Sequence, residues 1–157
     1  MRTAIDKRVN KKNTIKHRLI AEFLFDISPE LYKTCEEAAT PLLEDEKWIP
    51  KIFSYILVHQ NGQTRAENEH FYLAVFYRIY SPVHLYTPII TKLSPGIRDA
   101  ISNCFGFQNP EMVNHFYVSV PSHYQNPRWA AQVNDLAFDI VENIKSEIEE
   151  LSTEENE

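Results

Sequence analysis

The sequence predicts a mainly α-helical protein built of short, sharply started helices with a long amphipathic helix at its C-terminal end. Seven of its nine prolines directly follow Ser, Thr or Asn, at Ser28-Pro29, Thr40-Pro41, Ser81-Pro82, Thr87-Pro88, Ser94-Pro95, Asn109-Pro110 and Asn126-Pro127, where about 1.6 such pairs would arise by chance. Proline keeps the residue before it out of the α region, which is the state an N-cap residue needs, and its own φ suits the first helical position. The second observation is a single stripe at helical spacing, Val133, Ala137, Ile140, Ile144, Ile148 and Leu151, of the kind that packs one helix face on a core.

Taken in order, residues 1–13 have few apolar groups and no period, and read as a basic flexible arm. From Thr14 the apolar positions Ile15, Leu19 and Phe23, with Ile20, Leu24 and Ile27 beside them, recur at helical spacing. Ser28-Pro29-Glu30 opens a second helix carrying Leu31, Tyr32 and Cys35, with an acid in its first turn where the macrodipole favours it. Thr40-Pro41 is expected to open a third, which Pro50 must kink or restart. The run 52–58 ends at Asn61-Gly62, a natural left-handed helix stop. Thr64 and Glu67 then have the spacing of a capping box that leads into 71–80. Prolines 82, 88 and 95 cut the chain into short pieces, Gly106 closes the helix 97–105, and 121–126 reads as a polar loop. From Asn126-Pro127 the final helix runs to about residue 151, leaving 152–157 as an acidic tail and 14–151 as one helical domain. The alternative is an α+β fold, because 52–58, 71–80 and 113–120 are rich in the aromatic and β-branched residues that favour strands, and would form a small aromatic sheet.

Charge is segregated along the chain. Arg2, Lys7, Arg8, Lys11, Lys12, Lys16 and Arg18 face Asp6 alone in residues 1–18, a local charge of +6 in a chain whose net charge is −6. Such an arm suits an acidic protein surface or non-specific contact with a nucleic-acid backbone. No apolar run approaches the roughly 18 to 20 residues of a membrane span, and no signal peptide is apparent, so a cytoplasmic protein with no membrane partner is expected. Two cysteines, Cys35 and Cys104, form no metal-binding spacing and read as small buried hydrophobes.

Catalytic signatures are sparse. Three glycines leave no phosphate-cradling loop and no nucleophile elbow, so no cofactor is expected. Glu67 and His70 have the spacing of a di-iron half-site, but no second copy completes it, and no metal is expected. Arg65 and His70 fit the Arg-x(4–6)-His spacing of HEPN-type ribonucleases, small helical domains that usually act as dimers, and to that extent the chain resembles them. The resemblance implies that His70 would handle the 2′-hydroxyl proton while Arg65 steadies the phosphate. Ala66 stands where those enzymes usually carry a polar residue, and Arg78 with His84 repeats the spacing, of which about 0.8 instances arise by chance in this composition. His70 is therefore expected to be structural. The segment from His115 and Tyr117 through His123 and Tyr124 to Arg128 and Trp129 mixes aromatic and hydrogen-bonding groups as interfaces and base-stacking platforms do. The expected function is that of a non-enzymatic interaction or regulatory protein, a subunit or modulator of a protein or ribonucleoprotein assembly, of a look shared with proteins of mobile elements. Homo-oligomerisation is compatible with this reading, and a metal-independent ribonuclease using Arg65 and His70 is the alternative.

Overall fold

The structure, a computed structural model, describes residues 18–59, 65–86, 92–116 and 119–154. Every regular element among the described residues is a helix, and the prediction of a mainly α protein holds. The chain divides into two compact units, the first ending at Thr40 and the second beginning at Pro41. Residues 1–13, read as the basic arm, lie outside the described residues.

The first unit holds α1 (18–27) and α2 (Pro29–Ala39). Ser28 and Pro29 take the N-cap and first helical positions of α2, as their order predicts, although the Ser28 side chain makes no capping bond. Backbone bonds from Ser28 N–H to the Leu24 carbonyl (2.9 Å) and from Tyr32 N–H to the Ser28 carbonyl (3.0 Å) carry the helical pattern across the junction. The rings of Phe25 and Tyr32 meet edge-on across it, with centroids 5.2 Å apart. None of the described residues of this unit is buried, and Cys35, expected inside, is exposed.

The second unit departs from the sequence expectation at its start. Residues 41–45 form no helix after Thr40-Pro41; their polar backbone instead closes the end of a longer helix, α4. Leu42 and Leu43 N–H both donate to the Ile79 carbonyl (2.7 and 3.3 Å), and the Tyr80 hydroxyl donates to the Asp45 carbonyl at 3.0 Å. The two bonds to Ile79 supply a partner at a helix C-terminus, where carbonyls would otherwise lack one. A 3₁₀ turn, Glu46–Trp48, with Asp45 accepting from Lys47 N–H at 3.0 Å, leads into α3 (Ile49–His59). Pro50 sits in the first turn of α3, where its missing N–H does no harm. The turn expected at Asn61-Gly62, and Thr64 with it, lie outside the described residues.

The central helix is α4 (Arg65–Tyr80), in which every residue from Phe71 to Tyr80 is buried. This corrects the α+β alternative. Segment 52–58 belongs to α3 and 71–80 to α4, while the described part of 113–120 falls in α7 (Met112–His115) and the start of α8 (Ser119–Tyr124). Strand preference measures how well a side chain suits a half-buried pleated surface. A run buried all round is equally at home in a helix enclosed by others. That is the position of α4, which packs against α9 (Pro127–Glu154), α5 (Val83–Tyr86) and α8, while α3 packs on α6 (Pro95–Phe105) and α9.

Helix ends follow the sequence where polar side chains control them. Ser94-Pro95 starts α6, and Gly106 ends it with φ 67°, a left-handed conformation that glycine adopts without penalty. Asn126 caps α9 by accepting from Arg128 N–H (3.0 Å) and Trp129 N–H (3.3 Å). The loop expected at 121–126 is largely helical, because Pro121 falls in the first turn of α8. Val133, Ala137, Ile140 and Ile144 enter the core as the stripe predicts, whereas Ile148 is exposed. About two turns before the end of α9, Glu147 pairs with Lys51 of α3 and accepts from the Tyr55 hydroxyl at 3.1 Å.

Candidate functional site

Because residues 71–80 are enclosed, α4 offers side chains to solvent only at its N-terminal end, and His70 stands there, half-buried. Three other elements converge on it. Phe116, just after α7, meets the His70 ring edge-on at 4.9 Å, and His123 of α8 lies 5.0 Å from it, centroid to centroid. Trp129, in the first turn of α9, lies 5.5 Å from His123 and 5.9 Å from Phe71. The Asn126 cap fixes where α9 begins, and with it the position of Trp129. Tyr124 borders the cluster, 6.4 Å from Trp129, and donates its hydroxyl proton to Asn134 Oδ1 at 3.1 Å.

Electrostatics follow from this packing. Burial holds the His70 pKa below the ordinary histidine value, the neighbouring His123 lowers it further, and Glu69 opposes both. An imidazole so placed is neutral at pH 7 and able to accept a proton. Burial pushes Tyr124 up to about 12, with a hydrogen bond to Tyr86 adding to the rise, so its phenol remains a donor at neutral pH. The cluster thus offers one neutral imidazole, a second beside it, and two large aromatic rings, on a surface with hydrogen-bonding edges.

The sequence candidates divide accordingly. His123, Tyr124 and Trp129 come together, and His123 meets His70, which had been considered separately. His115 and Arg128 are exposed, and Tyr117 lies outside the described residues. Arg65 opens α4, five positions before His70, and its side chain lies outside the described residues. Of the basic arm, Arg18 is described: it is exposed and pairs with Glu22 at 3.1 Å. Arg2, Lys7, Arg8, Lys11, Lys12 and Lys16 lie outside. The second arginine and histidine at ribonuclease spacing belong to the core. His84 is buried with Nδ1 2.7 Å from Ser81 Oγ, and Arg78 is buried with Nε donating to Asn134 Oδ1 at 3.1 Å. Sequence reasoning passed over Phe116, whose neighbours His115 and Tyr117 carried the more obvious polar chemistry. No group of three or more His, Cys, Asp or Glu among the described residues is placed to hold a metal ion.

The first unit presents a different surface. Leu19, Ile20, Phe23, Ile27 and Leu31 expose between 51% and 74% of their area. Arg18, Glu22 and Asp26 lie on another side of α1, where with Ala21, Phe25 and Tyr32 they line an open groove of about 450 Å³. Among the described residues no helix is long and apolar enough to cross a membrane. No protein-family model matches the chain. Neither a curated protein nor a solved structure matches it either.

Proposed function

We propose that the chain is a non-enzymatic helical interaction protein of the cytoplasm, a subunit or modulator of a protein or ribonucleoprotein assembly that engages its partner through the first helical unit. The observation that carries this reading is the apolar face of α1 and α2, five large side chains more than half exposed in a unit that buries none of its described residues. Exposed apolar surface of that extent marks an interaction site. The basic residues that precede it in sequence add attraction for an acidic protein surface or a nucleic-acid backbone. Affinity capture of the tagged full chain from its native cell, followed by mass spectrometry, tests the reading: Phe23→Glu should lose the partners that the parent chain retains. Identical capture by both would overturn it.

A second reading is supported by the neutral, half-buried His70 beside His123. In this reading the chain is a metal-independent ribonuclease in which His70 accepts the 2′-hydroxyl proton and Arg65 steadies the phosphate charge. Cleavage of unstructured RNA that is lost in both Arg65→Ala and His70→Ala, with the fold intact, would displace the first reading.

A further inference from the structure

We propose that the buried guanidinium of Arg78 binds a carboxylate supplied by a ligand rather than by this chain. Arg78 is 5% exposed and lies in the last turn of α4. Its Nε donates to Asn134 Oδ1 at 3.1 Å, and the guanidinium lies over the Phe138 ring, its carbon 5.1 Å from the centroid. Tyr124 donates its hydroxyl proton to the same Asn134 oxygen at 3.1 Å, which holds the amide in place and with it the Nε side of the fork. One donor and one face of the guanidinium are thereby taken. Nη1 is buried and has no hydrogen-bond partner. The edge that carries it is left for a ligand.

Charge identifies the class of ligand. Asn134 and Phe138 carry none, and burial pushes the Tyr124 phenol up to about 12, so it stays protonated and supplies none. No ion pair among the described residues includes Arg78. Asp135 and Asp139, which adjoin Asn134 and Phe138 in sequence, are exposed. A cation thus stands in the interior without a counter-charge and with a donor unmet, an arrangement that opposes folding. A water molecule would satisfy Nη1 and leave the charge unopposed. A carboxylate answers both, because its two coplanar oxygens match adjacent donors of the guanidinium fork. Phosphate would bring a larger and more highly charged group to the same buried place, at a greater desolvation cost. Phe138, on α9 one turn beyond Asn134, is 44% exposed. The guanidinium therefore lies beneath a ring that itself reaches solvent, and rotation of that ring opens a route to the fork.

Titration of the full chain with sodium acetate, against sodium chloride at equal ionic strength, provides the test. Acetate should raise the melting temperature of the parent saturably, as binding to the folded state alone requires. Lys145→Met, which removes an exposed cation of α9, should respond as the parent does. Arg78→Met should lose at least tenfold in acetate affinity, so that the melting temperatures of parent and variant converge in favour of the parent as acetate is added. In the parent, acetate should also shift the Arg78 Nε–H resonance, identified by its nuclear Overhauser contact with the Phe138 ring, a measurement that needs no variant to fold. Equal rises in melting temperature for the parent and Arg78→Met, or an Arg78 resonance that acetate does not move, overturn the site. A response to phosphate larger than that to acetate overturns the choice of carboxylate. A short peptide compared with its C-terminally amidated form separates two sources of the same group. Binding of the free-acid peptide as tightly as acetate assigns the site to a protein terminus, and binding of acetate without either peptide assigns it to a small acid; in both results the carboxylate site stands.

Discussion

Replacing Arg78 with methionine should make the protein more stable. The side chain is 5% exposed on the central helix, and its Nε donates to Asn134 Oδ1 at 3.1 Å. Its guanidinium carbon lies 5.1 Å from the Phe138 ring. Nη1 is buried without a hydrogen-bond partner, and none of the ion pairs among the described residues includes Arg78. Methionine forfeits one charge-assisted hydrogen bond, about 1.5–3 kcal/mol, and a cation–π contact of about 0.5–1 kcal/mol. It also removes an orphaned buried donor, about 1–3 kcal/mol, and relieves a desolvation penalty of several kcal/mol for a buried cation. Asn134 Oδ1 keeps its bond from the Tyr124 hydroxyl, so no new orphan appears. The balance favours methionine by roughly 1–2 kcal/mol, which for a chain of this size raises the melting temperature by about 2–8 °C. Lysine at the same position keeps the charge and loses the guanidinium geometry, and should melt below the parent. Thermal and urea melts followed by circular dichroism order the three proteins. A melting temperature for Arg78→Met below the parent would refute the reasoning and show that the guanidinium is compensated by interactions beyond Asn134 and Phe138.

Two further outcomes follow from buried or half-buried groups. Tyr77 is fully buried and donates its hydroxyl proton to the Val113 carbonyl at 2.7 Å, so Tyr77→Phe strands that acceptor and should cost about 1–3 kcal/mol in urea unfolding. The His70 pKa is lower in the folded than in the unfolded chain, through burial first and His123 second. Above the ordinary histidine value both states are neutral and stability is unaffected; as pH falls through it the unfolded chain takes up the proton first and stability declines. Melting temperature should accordingly drop between pH 7 and pH 5, and His123→Gln should reduce the part of the drop that His70 causes.

Local backbone chemistry made the helix starts legible. Ser28-Pro29, Ser94-Pro95 and Asn126-Pro127 each begin a helix, because the effect of proline on its own φ and on its neighbour is contained within two residues. Thr40-Pro41 carries the same signal and begins none; the N–H groups of Leu42 and Leu43 bond instead to the carbonyl of Ile79, a partner far along the sequence that no two-residue signal encodes. Segment 71–80 was ambiguous for a related reason: being buried on all sides, it shows neither a two-residue nor a helical alternation, and only its neighbours in space decide its conformation. In the candidate site His123 and Trp129 were visible as chemistry, but their meeting with His70 depends on α8 and α9 packing against α4. The face at Leu19 and Phe23 shows a different limit. Apolar periodicity records that a face avoids water and says nothing about whether the covering surface belongs to the same chain.

Burial also sorts the two arginine–histidine pairs. Chemistry on a polymeric substrate requires that the reacting groups be reached, and Arg78 and His84 sit in the core with polar contacts to Asn134 and Ser81. His70 has the opposite placement, at the one end of α4 that emerges from its neighbours, with Phe116, His123 and Trp129 around it. A ribonuclease reading therefore stands or falls on Arg65 and His70 alone. The interaction reading draws on neither, because its residues lie in α1 and α2, in a unit separate from α4. The two readings are consequently separable by mutation: Phe23→Glu should abolish partner capture without affecting the His70 titration, and His70→Ala should leave capture intact. A variant in either unit that changed both would show that the aromatic–histidine cluster takes part in binding the partner.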